Sequence, residues 1–389
     1  MKSNTVPHEE INHAAEVNKD TPKVTTPPSP RVLLGMSGGV DSSVAAYILK
    51  EQGYDVIGVT MQIWQDEKED EHTPESSCCS LSAVEDARRV AHHLEIPFYV
   101  MNFKDYFKET VIDYFVQEYR AGRTPNPCIA CNRYVKFEEL MRRALQLGCD
   151  YVATGHYALI EKDPVSGRML LKKSVTDRKD QTYALYQMTQ EQLAHTLMPL
   201  GRYHKEDIRR MARELDLPVA EKAESQEICF VPDDNYGKFI EEYDGTIAEK
   251  GLFKDQEGKP VGTHKGIIHY TVGQRKGLGL AMGKPVYVTD ILPEANEVLI
   301  GDQEDLLAKG LVAADLNFIP CDTLPAEARV TIKIRYNAAA VPGVATLTSD
   351  GRLQVMFDQP QKSVTPGQSV VLYDGPIVVG GGVIQKRIK

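Results

Sequence analysis

The sequence predicts an α/β protein: an N-terminal doubly wound parallel sheet, then a small mixed central domain, then a C-terminal β-barrel. Three observations predict this order. Between residues 31 and 154, short apolar runs alternate with amphipathic segments, which is the rhythm of βαβ units. From about residue 230 the chain turns Gly-rich with short strands. From about residue 311 it is almost all strand-like, punctuated by Gly, Pro and Asp. A length of 389 residues accommodates two or three domains. The changes of pattern divide it into a disordered N-terminal extension (1–30), a first domain (31–229), a central domain (230–305) and a barrel (306–389).

The elements follow in order. Val32 to Met36 is a short apolar run bounded by turn residues, as a buried strand requires. A Gly-rich turn leads into a helix with Val44, Ala45, Ile48 and Leu49 on one face. Val56 to Met61 is the next strand, reached by a right-handed crossover. Ser82-x-x-Glu85 reads as a capping box for a helix with Val84, Ala87, Ala91 and Leu94 on its apolar side. A strand at Phe98–Phe103, a helix near 105–121, a loop, a helix near 136–147 and a strand at Tyr151–Thr154 complete the alternation. Residues 158–175 read as a hairpin turning at Asp163-Pro-Val-Ser-Gly167, and the helix His204–Leu215 closes the first domain. The barrel strands are Arg329–Tyr336, Gly343–Thr348, Leu353–Phe357, Ser369–Tyr373 and Ile377–Ile384.

Composition excludes several classes. With 42% hydrophobic and 26% charged residues the chain is not collagenous, a disulfide scaffold or wholly disordered. No stretch approaches the ~18–20 apolar residues of a membrane span. No apolar signal core precedes residue 30, and Glu9, Glu10, Glu16 and Asp20 argue against a transit peptide, so a cytoplasmic location with no membrane partner is expected. The net charge of −10 argues against a uniformly basic coat for nucleic acid. The charge is unevenly spread, however. Asp66, Glu67, Glu69, Asp70, Glu71 and Glu75 crowd one stretch, which reads as a solvated loop. Residues 265–284 carry Lys265, Arg275, Lys276 and Lys284 with no acid, beside His269 and Tyr270. Gly273, Gly277 and Gly279 let that backbone approach a polyanion, so the segment reads as a phosphate-contacting loop, with an ordinary basic surface hairpin as the alternative.

Ser37-Gly-Gly-Val-Asp-Ser-Ser43 lies between the first strand and the first helix. Its glycines free backbone N–H groups to face an anion, and the helix adds its positive end and unpaired N–H groups. No Gly-Lys-Ser/Thr follows, so this is not a Walker A loop. The motif resembles the signature of the PP-loop ATP pyrophosphatases. That resemblance implies an adenine nucleotide alpha hydrolase-like fold, ATP with Mg2+ as substrate, and cleavage between the α and β phosphates. The substrate that receives AMP is left open by this motif.

Seven cysteines, an odd number in a long chain, do not form a secreted disulfide framework. Cys128 and Cys131 form a C-x-x-C pair in the loop Gly122-Arg-Thr-Pro-Asn-Pro-Cys128, which two prolines stiffen ahead of a helix beginning near Lys136. Such a pair reads as metal-binding or redox-active. Cys229 follows about a hundred residues later in Ala223-Glu-Ser-Gln-Glu-Ile-Cys229-Phe230. Cys78–Cys79, Cys149 and Cys321 read as incidental or packed thiols. The PP-loop, the C-x-x-C loop and the lone later cysteine together closely resemble the tRNA-specific 2-thiouridylase family. Ala153-Thr-Gly-His-Tyr157, Asp177-x-Lys-Asp-Gln-Thr-Tyr183, Gly273-Gln-Arg-Lys-Gly-Leu-Gly279 and Pro366-Gly-Gln368 add to the match, which spans residues 31–389.

This resemblance implies an ATP-dependent enzyme that binds tRNA and flips out the wobble uridine. It adenylates the oxygen at position 2 and replaces it with sulfur, releasing AMP and pyrophosphate. Gly35, Met36, Ser37, Gly38, Gly39, Val40, Asp41 and Ser42, with Met61 and Gly155, would contact ATP. Cys131 matches the family's nucleophile and Cys229 its persulfide carrier. Asn126, Pro127 and Cys128 would line the target base. His156, Lys179, Asp180, Gln181, Arg335, Tyr336 and Gln368 would touch tRNA, with the central domain as a tRNA-binding unit. Some members have Asp where Cys128 stands, and an unperturbed thiol does not replace a carboxylate base. Two sulfur routes therefore stay open: an iron–sulfur cluster on Cys128, Cys131 and Cys229, or a persulfide on Cys229 resolved by Cys131 and fed by a sulfur-donor protein. A structural zinc site is the bland reading of the same thiols. Another PP-loop ligase or amidotransferase acting on a small molecule, and a non-enzymatic metal- or RNA-binding protein, are the competing functions.

Overall fold

The computed structural model describes residues 29–64, 81–223, 228–231 and 233–389. The N-terminal extension up to residue 28, the acidic cluster, Cys78–Cys79 and residues 224–227 lie outside the described residues. Among the described residues no helix is long and apolar enough to cross a membrane.

The first domain is a five-stranded parallel sheet. Its strands are β1 (Arg31–Gly35), β2 (Asp55–Gln62), β3 (Phe98–Asn102), β4 (Tyr151–Ala153) and β7 (Thr196–Leu197), in the order β3-β2-β1-β4-β7. β1 is central and buried on both sides, which explains its unbroken apolar run. Val32 and Leu34 join one core, with Val44, Ile48 and Leu49 of α1 (Val40–Glu51) and Ile208 and Ala212 of α8 (Lys205–Glu214). Leu33 joins the opposite core, with Phe115 of α4 (Asp113–Arg120) and Leu140 of α6 (Leu140–Gln146). The period-2 alternation of the strand thus supplies both layers.

Two helices differ from expectation in detail. α2 (Leu81–His93) buries Val84, Ala87 and Ala91 as predicted, but Ser82 lies within its first turn and Glu85 pairs with Arg88 rather than capping. The helix expected near Lys136 begins much earlier. α5 (Pro127–Ala130) runs through a π-helical stretch, Cys131–Glu139, directly into α6. Asn126 caps it, accepting from the backbone N–H groups of Cys128 and Ile129, and Pro127 occupies the first helical position. The two prolines therefore introduce a helix. The segment predicted near 105–121 is α3 (Lys104–Phe107), a π-helical turn and α4.

The hairpin falls where predicted, as β5 (Ala158–Lys162) and β6 (Met169–Lys173), followed by α7 (Gln190–Ala194) with a Thr189–Gln192 capping box. Its partner was not foreseen. β6 pairs with the last strand of the barrel, so the hairpin extends that sheet.

The central domain begins with α9 (Tyr236–Asp244), which the sequence reading did not anticipate. It continues with β8 (Gly251–Lys254), β9 (Pro260–His264), β10 (Tyr287–Leu292) and β11 (Glu297–Gly301) in the order β10-β11-β8-β9. Five of the six barrel strands were expected: β13 (Ala328–Lys333), β14 (Val341–Leu347), β15 (Leu353–Lys362), β16 (Ser369–Asp374) and β17 (Ile377–Ile388). The sixth, β12 (Leu307–Phe318), pairs with both β15 and β17 and closes the ring. Its bulges, one with Asp315 at φ 52°, break the alternation that marks a strand in sequence.

Phe230 ties the Cys229 segment to the first domain. It is buried, with its ring edge-on to Phe107 (5.8 Å) and Phe115 (5.3 Å). Phe230→Ala is expected to cost about 3–5 kcal/mol, read by calorimetry as a lowered midpoint of the first domain's transition. An unchanged transition would show that this segment is not part of that core.

Candidate active site

The strand order reverses direction at β1. The chain passes from β1 outward to β2 and β3, then returns to β4 on the other side. The crossovers therefore diverge at the C-terminal ends of β1 and β4, leaving the crevice where open α/β sheets bind ligands. The Ser37–Ser43 loop fills the lip of this crevice. Gly38 has φ 67°, and a Cβ there would lie 2.2 Å from the Ala83 carbonyl oxygen, so only glycine lets α2 pack against the turn. Gly39 precedes α1, and no side chain caps the helix. Ser42 and Ser43 donate their hydroxyls to the Gly39 carbonyl, at 3.2 and 2.8 Å. The Ser37 N–H donates to Ser42 Oγ at 3.2 Å. The first turn of α1 thus keeps its N–H groups for an anion. Gly155 follows β4 and approaches so closely that a Cβ would lie 2.9 Å from the Ser42 nitrogen. The Met61 methyl lies near Gly35.

A lysine that the sequence reading did not find completes the loop. Lys205, the first residue of α8, lies almost wholly buried and donates to both Asp41 carboxylate oxygens at 2.6 and 2.8 Å. Tyr157 Oη donates to the same carboxylate at 2.7 Å. Lys205 is 164 residues from Asp41, so no local spacing announces it. Gln181 supports this arrangement, its Oε1 accepting from the Tyr157 N–H at 2.9 Å. His156 is buried, with Nδ1 2.7 Å from Thr154 Oγ1, and burial holds its pKa well below the usual histidine range, keeping it neutral.

The thiols separate into two groups. Cys149 and Cys321 have pKa values pushed up by burial, as inert packed thiols do. Cys128 is exposed on the first turn of α5 and Cys131 is half-buried one turn on. A helix N-terminus favours the thiolate. Cys131 and Cys229, 98 residues apart in the numbering, pack against the same apolar core. The neighbouring Asn132 is buried and donates its amide to the Ala184 carbonyl at 3.0 Å. Among the described residues no three His, Cys, Asp or Glu side chains converge as metal ligands.

The residues expected to touch RNA are distributed unevenly. Arg335 and Tyr336 are exposed just beyond β13, with Tyr336 edge-on to Tyr183 at 6.2 Å and the Lys333 ammonium 5.8 Å from its ring. Arg335 borders an open groove of about 420 Å³ that Lys362 and Asn337 also line. Lys265, Arg275, Lys276 and Lys284 are exposed on a segment with no strand between β9 and β10, so the basic stretch is a loop and not a hairpin. Lys179 is half-buried. Asp180 is buried, accepting from the Ser174 N–H at 3.2 Å and the Thr182 hydroxyl at 2.7 Å, and burial raises its pKa. Gln368 faces the first domain, as described below.

Removing the Lys205 charge would leave the Asp41 carboxylate facing the incoming phosphates. Lys205→Met is expected to weaken ATP binding by roughly tenfold, a partial version of breaking a buried ion pair because Asp41 is partly exposed. Gly155→Ala should weaken it through contact with the loop. Isothermal titration with ATP checks both, and unchanged affinity in each would place the nucleotide elsewhere.

Residues 30–233 match the family described as the tRNA methyl transferase HUP domain, residues 237–302 the tRNA methyl transferase PRC-barrel domain, and residues 308–384 the aminomethyltransferase beta-barrel domain. The chain is 57% identical over 358 residues to the tRNA-specific 2-thiouridylase MnmA of Clostridioides difficile (strain 630), covering 92% of this chain and 99% of that protein. It is 60% identical over 355 residues to the protein of the same name from Acetivibrio thermocellus, covering 91% and 99%. Among solved structures it is similar to the NMN synthetase of Francisella tularensis, at 15% identity and a TM-score of 0.31 over 57% of this chain and 80% of that one. It is also similar to a 4-thiouridine synthetase solved with RNA and ATP, at 17% identity and a TM-score of 0.32 over 53% and 46%. With relatives this similar over nearly their whole length, the chain belongs to the tRNA-specific 2-thiouridylase family.

Proposed function

We propose that the protein is an ATP-dependent tRNA sulfurtransferase that converts the wobble uridine to 2-thiouridine. The observation that carries this reading is the pairing of an anion-binding loop at the sheet's switch point with two distant cysteines, Cys131 and Cys229, on one core. MgATP would bind with its phosphates on the N–H groups of residues 37–42, and Lys205 would offset the charge of Asp41 beside them. Asn126, Pro127 and Cys128 would border the flipped base. Arg335, Tyr336 and the loop with Lys265, Arg275, Lys276 and Lys284 would hold the RNA backbone.

The chemistry runs in two stages. The uridine O2 attacks the α-phosphorus, pyrophosphate leaves with the bonding pair, and the N3 proton is lost to solvent. The base then carries AMP, a far better leaving group than the urea-like oxygen alone. The terminal sulfur of a persulfide on Cys229 attacks C2, and AMP departs. The Cys131 thiolate attacks the Cys229 sulfur, forming a Cys131–Cys229 disulfide and releasing the thiouridine sulfur, while N3 regains a proton. A sulfur-donor protein or relay supplies each persulfide, and an external dithiol reduces the disulfide between turnovers. The cytoplasm, where ATP and tRNA meet, is the location this reading implies.

The test is incubation with tRNA, ATP and a persulfide donor. Thiolated tRNA, AMP and pyrophosphate are expected in equal amounts. Cys131→Ala and Cys229→Ala should abolish thiolation while tRNA-dependent pyrophosphate release persists. ADP and phosphate as the only nucleotide products would overturn the reading, as would methylated tRNA formed from a methyl donor without ATP. Full activity in iron-free protein supports the persulfide route. Visible absorbance that tracks activity and disappears in Cys128→Ala would favour a cluster instead.

A further inference from the structure

The segment Gly122–Pro125, immediately before the Asn126 cap of the thiol-bearing helix, is gripped by all three domains. Its own domain contributes a hydrogen bond from the Arg123 N–H to the Glu118 carbonyl at 2.9 Å. The central domain touches it twice. Thr124 Oγ1 lies 3.3 Å from Thr271 Oγ1, and a Cβ on Gly122 would lie 2.7 Å from Pro293. The barrel grips it most directly. The Thr124 N–H donates to the Pro366 carbonyl at 2.9 Å, and Gln368 Nε2 donates to the Thr124 and Pro125 carbonyls at 2.9 and 3.3 Å. Gly367 has φ 89°, and a Cβ there would lie 2.8 Å from the Thr124 nitrogen, so the two backbones are in contact.

The barrel side of this contact is itself fixed. Gly367 N–H donates to the Ile384 carbonyl at 2.9 Å, and the Ile384 N–H returns a bond to the Gln368 carbonyl at 2.8 Å. The turn is therefore anchored across β17 before it reaches the other domain. The Thr124 and Pro125 carbonyls precede the helix and, as backbone acceptors, are satisfied from across the domain boundary. Gln368 supplies two bonds from one amide.

We infer that the barrel turn Pro366–Gln368 is a positioning element for Cys128 and Cys131, with Gln368 as its key residue. It fixes where the thiol-bearing helix starts. The barrel thus acts on the sulfur chemistry as well as offering a surface for RNA. The inference rests on the proposed role of these thiols in sulfur transfer, but its first test does not require that activity.

That test is alkylation of the full-length protein by iodoacetamide without tRNA, with the rate at Cys128 and Cys131 followed by mass spectrometry. Gln368→Ala removes both bonds and should raise the rate at Cys131 roughly tenfold, the size expected for two neutral hydrogen bonds, while Cys149 and Cys321 keep their wild-type rates. Gln368→Glu should match it at neutral pH, where a carboxylate faces two carbonyl oxygens. Its rate relative to wild type at the same pH should fall back as the pH drops and the protonated acid can donate. In single-turnover thiolation both variants should lose rate with tRNA affinity within about twofold of wild type. Unchanged alkylation in both variants together with weakened tRNA binding would overturn the inference and leave Gln368 as an RNA contact only. Thiolation absent from the wild-type protein, with the alkylation response intact, would overturn the proposed function and leave the positioning contact standing.

Discussion

The reversal of strand order at β1 is the constraint on which the site depends. Right-handed crossovers on the two sides of β1 must leave in opposite directions, so the C-terminal ends of β1 and β4 open into a crevice. The glycines at 38 and 155 let the chain turn tightly into that crevice. Lys205 reaches it because α8 packs against α1 on the same face of the sheet. The buried ammonium is held by two carboxylate contacts, and that carboxylate in turn holds Tyr157. The Ser37–Ser43 loop is thus preformed by packing.

The barrel and the first domain are less separate than their sequences suggest. The β5–β6 hairpin continues the barrel sheet, and Tyr183, Tyr186, Val371 and Tyr373 share one core. Tyr183 Oη donates to the Ser369 carbonyl at 2.8 Å, satisfying a hydroxyl that burial would otherwise penalise. A small interface of this composition resists sliding, because its polar groups are paired in one register only. An acidic protein that handles tRNA also becomes intelligible. Exposed cations stand without an intervening acid along the loop at 265–284, and Arg335 and Lys362 line one groove, so a net charge of −10 does not preclude local attraction to phosphate.

Much was legible in advance because it depends on local periodicity. The central strand, α1, the hairpin and five barrel strands follow from apolar spacing and turn residues alone. The features that were misread depend on partners far along the chain or on broken patterns. The Asn126–Pro127 pair was a helix start in plain view, but two prolines in six residues were read as a loop. β12 was missed because its bulges interrupt the alternation, and α9 because the stretch from residue 230 reads as short strands, although Asn235 caps the helix and Gly245 ends it in the left-handed conformation.

The sequence by itself determined the fold class and the Gly-rich loop between the first strand and the first helix, since each is a matter of residue type at short spacing. Tertiary structure alone decided which distant side chains complete the site. Lys205 lies 164 residues from Asp41, and Gln368 lies 244 residues from the Thr124 carbonyl it holds. It also turned Asp180 and Gln181 inward, where they brace the backbone. The physical reason is that a hydrogen-bond donor carries no mark of its acceptor in sequence. Only tertiary packing, within the first domain for Lys205 and between it and the barrel for Gln368, brings the two within 3 Å.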